Sequence, residues 1–239
     1  MVPYPRLNFR WIPGQTIDKA ALARMREHFP KPTKKPYVAW FMGEINYHEA
    51  QNFREWSVDE LGNYLFDTNS GIKSFGRLRI WVDWFHHMLP YLIEEHWTST
   101  IADYFYAIYA QEIFQEYHGF FQDIFKTLMQ TVMDERYWIN GDLKIPDWSV
   151  EFPHYPPGWL METGCPLEAS IELCIKYLPE QDLPLWVESI AEIKGKVWQI
   201  QVKYWIEQFK KMPEEYHIPE DRAKFFLDEL RKYPDYADI

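Results

Sequence analysis

The densest cluster of titratable side chains lies between residues 74 and 97. It includes Asp83, His86, His87 and Glu94. Imidazole and carboxylate groups can ligate a transition metal or act as general acids and bases. His87 follows Asp83 by four residues and Glu94 follows His87 by seven, so an unbroken helix would bring them to one face. The spacing permits a metal site of Asp83, His87 and Glu94, or a hydrolytic site of His86, His87 and Glu94.

A structural interpretation of the same cluster is also open. Pro90 lies within the helical pattern, and it predicts either a kink or a break, with one helix ending near Met88 and the next beginning at Pro90. The cluster would then be a half-exposed polar face whose side chains cap carbonyl groups of neighbouring elements. The apolar residues recur every three or four positions and predict a separate buried face: Leu78, Trp81, Val82, Phe85, Leu89 and Leu92.

Other catalytic patterns are missing from the sequence. It has no phosphate-binding loop, no dinucleotide-binding glycine pattern and no nucleophile elbow. Cys165 precedes the helix start predicted at Pro166, where the helix dipole can lower a thiol pKa. No histidine is near in sequence to act as its base, so we expect an inert thiol. We therefore expect no cofactor, and a non-enzymatic role is favoured over an enzymatic one.

Composition and charge limit the classes of partner. The formal net charge of −11 disfavours a nucleic-acid partner, because a polyanion would be repelled. Two cysteines are too few for a disulfide framework. The sequence shows neither a signal-peptide core nor a membrane-spanning run, so we expect a cytoplasmic protein that does not enter membranes.

The periodicity of the chain predicts an all-α fold of about nine or ten helices, with no strand. We expect one helical domain over residues 1–239. Its first 15 residues contain three prolines and are expected to lie extended on the surface. Thr16 is the predicted N-cap of the first helix, and Gly195 is predicted to divide two later ones. Short helices joined by brief turns indicate antiparallel pairs, stacked as a short solenoid or packed as an irregular multi-helix bundle.

Residues 134–165 form the least helical stretch, with four prolines and an Asn140-Gly141 turn signal. Connections of this length are uncommon in compact domains and are usually functional or disordered. The many aromatic residues argue for a loop that packs on the helices. Trp148, Tyr155 and Trp159 are its candidate partner-binding residues, because aromatic side chains are frequent anchors of protein interfaces.

Two segments of the sequence resemble segments of known proteins. The first begins with Ser57, Glu60, Leu61 and Tyr64, and the second runs from Phe85 through His87, Leu89, Pro90 and Leu92 to Glu94. Together they resemble a group of uncharacterised bacterial helical proteins with a HEAT-like repeat. Tyr91 departs from the group, which often has arginine after the proline, and a later similarity extends from Leu173 to Trp186. The resemblance covers about half of the chain. It implies a HEAT-like α-solenoid and no particular activity.

Three hypotheses about function follow. The first is a non-catalytic helical-repeat scaffold that binds a protein or peptide through its concave face or through loop 134–165. The second is a metal-binding protein or hydrolase that uses His86, His87 and Glu94. The third is a small-molecule pocket lined by tryptophan and tyrosine. The sequence does not define an oligomeric state.

Overall fold

The computed structural model describes residues 8–33, 53–55, 57, 78–96, 121–144, 165–216 and 218–239, with the backbone alone at 78–82, 96 and 121–125. Helices dominate these residues, which confirms the predicted helical class. Their α-helices are α1 (Lys19–His28), α2 (Leu78–Tyr91), α3 (Phe121–Val132), α4 (Leu167–Tyr177), α5 (Leu183–Glu192), α6 (Lys196–Lys211) and α7 (Glu220–Leu230). No helix in these ranges is both long and apolar enough to cross a bilayer.

A small antiparallel hairpin interrupts the helical pattern. Strand β1 (Trp138–Ile139) pairs with β2 (Asp142–Leu143), and the turn between them is Asn140-Gly141. Both turn residues have positive φ, 52° for Asn140 and 80° for Gly141, as a two-residue hairpin turn requires. The expectation of no strand is therefore wrong at this point. An Asn-Gly pair between short apolar segments is the signal that indicates the hairpin.

The chain divides into two compact units. The middle unit comprises Asp18–Leu128, and the terminal unit comprises Met1–Ile17 together with Met129–Ile239. The single domain over residues 1–239 stays a prediction, because compactness alone does not show whether either unit folds independently.

In the middle unit, α1 begins later than predicted. Its N-cap is Asp18, not Thr16, and the Asp18 carboxylate accepts hydrogen bonds from the amides of Ala20 and Ala21, both at 3.0 Å. The Ala21 amide and the Lys126 ammonium hold the pKa of Asp18 below its usual value. One face of the helix is buried and consists of Ala21, Leu22 and Met25.

In the terminal unit, residues 8–12, which form neither helix nor strand, contribute to the core. Trp11 is 2% exposed, and its ring contacts those of Trp186 and Trp198 edge-on at 5.3 and 5.6 Å. Its indole N–H donates to the carbonyl of Met129 at 3.0 Å, and its amide donates to Ser189 Oγ at 3.0 Å. The segment is therefore not confined to the surface as predicted, because Trp11 lies inside with its polar atoms satisfied.

Helices α4 to α7 follow the local sequence signals closely. Pro166 precedes α4, and Gly195 separates α5 from α6, both as predicted. Helix α7 packs against α4 and α5, and its Arg222 guanidinium donates to the carbonyls of Ile175 and Leu178 at the end of α4. A cation at this position satisfies carbonyl groups that the helix itself leaves unpaired. Phe225 of α7 is 37% exposed, whereas its neighbour Phe226 is buried.

The hairpin supplies the N-terminal cap of α6. Asp142 accepts hydrogen bonds from the amides of Val197 and Trp198, both at 3.0 Å, although it precedes them by 55 and 56 residues. The N-cap residue Gly195 has no side chain with which to cap the helix itself. A Cβ atom at Gly195 would lie 2.2 Å from Asp142 Oδ1, so the carboxylate occupies the space that any larger residue needs.

Residues 233–239, here called the tail, pack against α6 and the residues before it. Tyr236 is fully buried in a short 3-10 turn. Ion pairs join Asp235 to Lys194 at 2.8 Å and Asp238 to Lys203 at 2.7 Å. Gln199 also donates to Asp235, and the Lys203 ammonium lies 5.9 Å from the centre of the Tyr236 ring. We call the surface formed by Lys194, Gln199 and Lys203 around Tyr236 the tail groove.

Candidate functional site

Helix α2 and the turn after it position the candidate cluster within the middle unit. The α-helix continues through Pro90 to Tyr91, and a π-helical segment, Leu92–His96, follows directly. Proline removes one amide donor and crowds the carbonyl four residues back, here that of His86. Widening to π geometry is a known response to such an interruption. The predicted break near Met88 does not occur, because the helix continues past Pro90, and the alternative of a kink stays a prediction.

His86 is a core residue. Its side chain is fully buried, and its ring lies 4.9 Å from that of Phe29 and 5.6 Å from that of Phe85. The sequence places His86 away from the buried face, and this expectation is wrong. Burial among phenyl rings limits access of a substrate to the imidazole, so His86 contributes to packing in the described structure.

His87 is half-buried and caps a helix. Its Nδ1 donates a hydrogen bond to the carbonyl of Phe29, the C-cap residue of α1, at 3.0 Å. A carbonyl can only accept, so this contact places the ring proton on Nδ1 and leaves Nε2 as the acceptor of the neutral ring. Burial lowers the pKa of His87, and the positive charge of Lys31 lowers it further, against the opposing effect of the Phe29 carbonyl.

Three aromatic rings surround His87. Those of Phe53, Trp84 and Tyr91 lie at 6.0, 5.9 and 5.9 Å between ring centres. All three contacts are edge-on, the geometry that aromatic pairs prefer to a face-to-face sandwich. His87 therefore matches the structural interpretation of the cluster, in which a side chain caps a neighbouring carbonyl.

The carboxylates of the π-helical segment are held by arginines. Glu94 pairs with Arg26 of α1, and Glu95 pairs with Arg54. The two guanidinium carbons lie 4.6 and 5.0 Å from the centre of the Tyr91 ring, within the range of cation–π attraction. We call this group, Arg26, Arg54, Tyr91, Glu94 and Glu95, the arginine clamp. Arg26 and Arg54 lie far from the glutamates in sequence, so no local pattern indicates the clamp.

The structure does not gather the predicted metal ligands into one site. Within the residues it describes, no three or more His, Cys, Asp or Glu side chains are placed so that they could hold a metal ion. Asp83 is half-buried, His87 bonds the Phe29 carbonyl, and Glu94 bonds Arg26. The described contacts of His87 and Glu94 are therefore with Phe29 and Arg26 and not with each other.

Both cysteines lie inside the protein. Cys165 and Cys174 are buried, and burial raises the pKa of each thiol. The effect of burial outweighs any lowering by the α4 dipole at Cys165, because a thiolate loses its hydration there. This agrees with the expectation of an inert Cys165 thiol.

The partner-binding candidates Trp148, Tyr155 and Trp159 lie outside the described residues. The described beginning of loop 134–165 is the hairpin, where Ile139 is 55% exposed. Ile12 is 56% exposed in the same unit. Among the described residues, these two are the most exposed of the large apolar side chains.

An open groove of about 310 Å³ in the terminal unit includes Ile12 and Gly141 in its lining. Trp11, Ser189 and Glu192 also line it. Its polar groups have partners: Glu192 pairs with Arg10, and Ser189 Oγ donates to the Trp186 carbonyl at 2.6 Å. The groove does not have the tryptophan- and tyrosine-lined character that the small-molecule hypothesis requires, since Trp11 is the one such residue in its lining.

Comparisons of this chain with protein-family models, with curated proteins and with solved structures give no match.

Proposed function

We propose that this protein is a non-catalytic helical scaffold that binds a protein or peptide partner through a surface beginning at the hairpin. The observation that carries the proposal is the 55% exposure of Ile139, the last residue of β1, beside the tight Asn140-Gly141 turn in loop 134–165. An apolar side chain on a short, hydrogen-bonded hairpin loses little conformational entropy when a partner covers it. Ile12, which lines the groove together with Gly141, extends the apolar character of this surface.

The arrangement we propose for the helices is a short HEAT-like α-solenoid in a cytoplasmic, bacterial protein. The resemblance of the two sequence segments and the packing of α7 on α4 and α5 support it. Small-angle X-ray scattering tests it, since a compact chain of this length has a radius of gyration of about 18 Å. A stacked row of helix pairs gives a larger value, and a value near that of the compact chain contradicts the solenoid.

The partner-binding proposal predicts a specific loss of binding. Tagged wild-type protein is used to capture partners from lysate, which are then identified by mass spectrometry and confirmed with purified components. Ile139→Asp should abolish capture of the confirmed partner, because it replaces an apolar contact of the proposed interface with a charge. Met212→Asp is the matched control, since Met212 is 37% exposed at the end of α6. Equal capture by wild type and both variants contradicts the proposal.

The metal-binding or hydrolytic alternative has one observation in its favour. His87 donates Nδ1–H to a backbone carbonyl, which is how metal-ligating histidines are commonly oriented, and its Nε2 is the acceptor. Elemental analysis of protein purified without an affinity tag tests this alternative. Stoichiometric zinc, manganese or iron that is lost in His87→Ala would support it. Metal at background level in the wild type would exclude the metal version.

A further inference from the structure

The tail is attached to α6 through side chains. Within the described residues, its backbone-to-backbone hydrogen bonds are local, from Tyr233 to Leu230, Tyr236 to Tyr233, Ala237 to Pro234 and Ile239 to Tyr236. The Arg231 side chain also donates to the Ile239 carbonyl at 2.9 Å. The tail can therefore leave α6 without breaking a helix or a sheet. Segments of this kind open locally at lower free energy than the core around them.

The contacts of the tail define a short recognition pattern. One tyrosine ring is completely buried, and an acidic residue lies one position before it and another two positions after it. Lys194 and Lys203 receive the two carboxylates. The buried ring supplies most of the apolar contact, and the exposed ion pairs select the charge and the direction of the peptide.

The charge of α6 matches an acidic peptide. Its sequence contains four lysines and one glutamate, a formal charge of +3, in a chain whose net charge is −11. A local basic surface of this kind attracts acidic groups at short range, where the field of the remaining chain is screened by salt.

We propose that the tail groove is an exchangeable peptide-binding site, which takes a segment of another protein in which a tyrosine lies between two aspartates or glutamates. The tail is its resident occupant and competes with the partner. Because the tail is covalently linked, its effective concentration at the groove is about millimolar. Competition from the tail therefore lowers the apparent affinity of the groove for external peptides. The biological use of the site rests on the proposed binding role. Lys194 also lines the open groove beside Ile12 and Gly141, so the test varies Tyr236 and Lys203, which do not line that groove.

The test measures binding of a fluorescent peptide with the sequence of residues 233–239 to the full chain. Tyr236→Ala removes the tail's own ring from the groove and weakens its competition with the added peptide. This variant should therefore bind the peptide at least about tenfold more tightly than the wild type does. A peptide with alanine in place of the tyrosine of residue 236 should lose at least about tenfold in affinity. Circular dichroism must show that the Tyr236→Ala variant is folded.

A charge control completes the design. Lys203→Glu in the Tyr236→Ala background should weaken binding of the peptide severalfold and reduce its dependence on salt. Lys224→Glu, an exposed position on α7, should leave binding unchanged. Absence of saturable binding to folded Tyr236→Ala, or equal binding of the alanine peptide, would overturn the proposal.

Hydrogen exchange on the wild-type chain provides a second test that needs no variant. The amides of Tyr236 and Ile239 should exchange by local opening, faster than amides in the middle of α6. Exchange of the tail amides only with global unfolding would overturn the proposal. Neither measurement uses the partner captured through Ile139, so a failure here is distinct from a failure of the proposed function.

Discussion

The surroundings of His87 in the folded chain favour the neutral form of its ring. Burial lowers its pKa below the ordinary value of 6.5, and the Phe29 carbonyl uses its Nδ1 proton. The unfolded chain therefore binds a proton more readily than the folded chain as the pH falls through that value. The stability that His87 contributes is fully present above about pH 6.5 and is lost as the pH falls toward the lowered pKa.

We predict that His87→Asn weakens this pH dependence. The asparagine amide can donate to the Phe29 carbonyl but does not titrate, so the free energy of unfolding should fall less steeply between about pH 8 and about pH 5.5. Urea denaturation of wild type and variant measures the difference. His28→Asn, at an exposed position of α1, is the control. An unchanged slope in His87→Asn would show that other groups cause the pH dependence.

We also predict that Cys165 and Cys174 are unreactive in the native state. Both thiols are buried and have raised pKa values, so little thiolate is present and reagents lack access to it. Ellman's reagent should detect both thiols in guanidinium chloride and neither in native buffer over the same time. Rapid native labelling of Cys165 would mean that the helix dipole dominates there after all.

At the scale of secondary structure, the cap of α6 depends on two residues distant in sequence. Asp142→Ala removes the acceptor for two amides and should cost about 1–2 kcal/mol of unfolding free energy. Gly195→Ala should cost a similar amount, because its methyl group must displace the Asp142 carboxylate. Chemical denaturation measures both. Asp228→Ala, at a half-exposed surface position, should stay within about 0.5 kcal/mol of the wild type.

The double variant tests whether the two residues act through one contact. Once Asp142 is alanine, the methyl group of Gly195→Ala no longer meets a carboxylate, so the two costs should not add. Additive effects would show that Gly195 is required for some reason other than room for Asp142.

At the scale of the molecule, the terminal unit joins residues that are distant in sequence. Trp11 bonds the carbonyl of Met129, 118 residues later, and packs against Trp186 and Trp198. We predict that Trp11→Ala lowers the free energy of unfolding by about 3–5 kcal/mol, which is a large share of a typical domain's stability. The substitution Ile12→Ala at the neighbouring position should change the free energy of unfolding by less than about 0.5 kcal/mol, because Ile12 is 56% exposed. Equal costs in denaturant unfolding would contradict the anchoring role of Trp11.

Sequence predicts the elements of this protein better than their contacts. Pro166 and Gly195 mark helix limits because proline and glycine act on the backbone where they stand. The cap by Asp142, the anchor at Trp11 and the burial of Tyr236 depend on which elements meet in space, and no local pattern carries that information. His86 shows the same limit at the candidate site, since its burial depends on Phe29 of another element.

The π-helical segment after Pro90 makes the two arginine–glutamate pairs depend on the number of residues in the turn that precedes the glutamates. A π turn closes over one residue more than an α turn does. Deletion of one residue at Leu92 or Ile93 would restore the shorter turn and rotate Glu94 and Glu95 by about 100° relative to Arg26 and Arg54. The arginine clamp is therefore specified by the number of residues between Tyr91 and Glu94 as well as by their types. Among distant relatives, a one-residue gap at this point should coincide with loss of the two arginines.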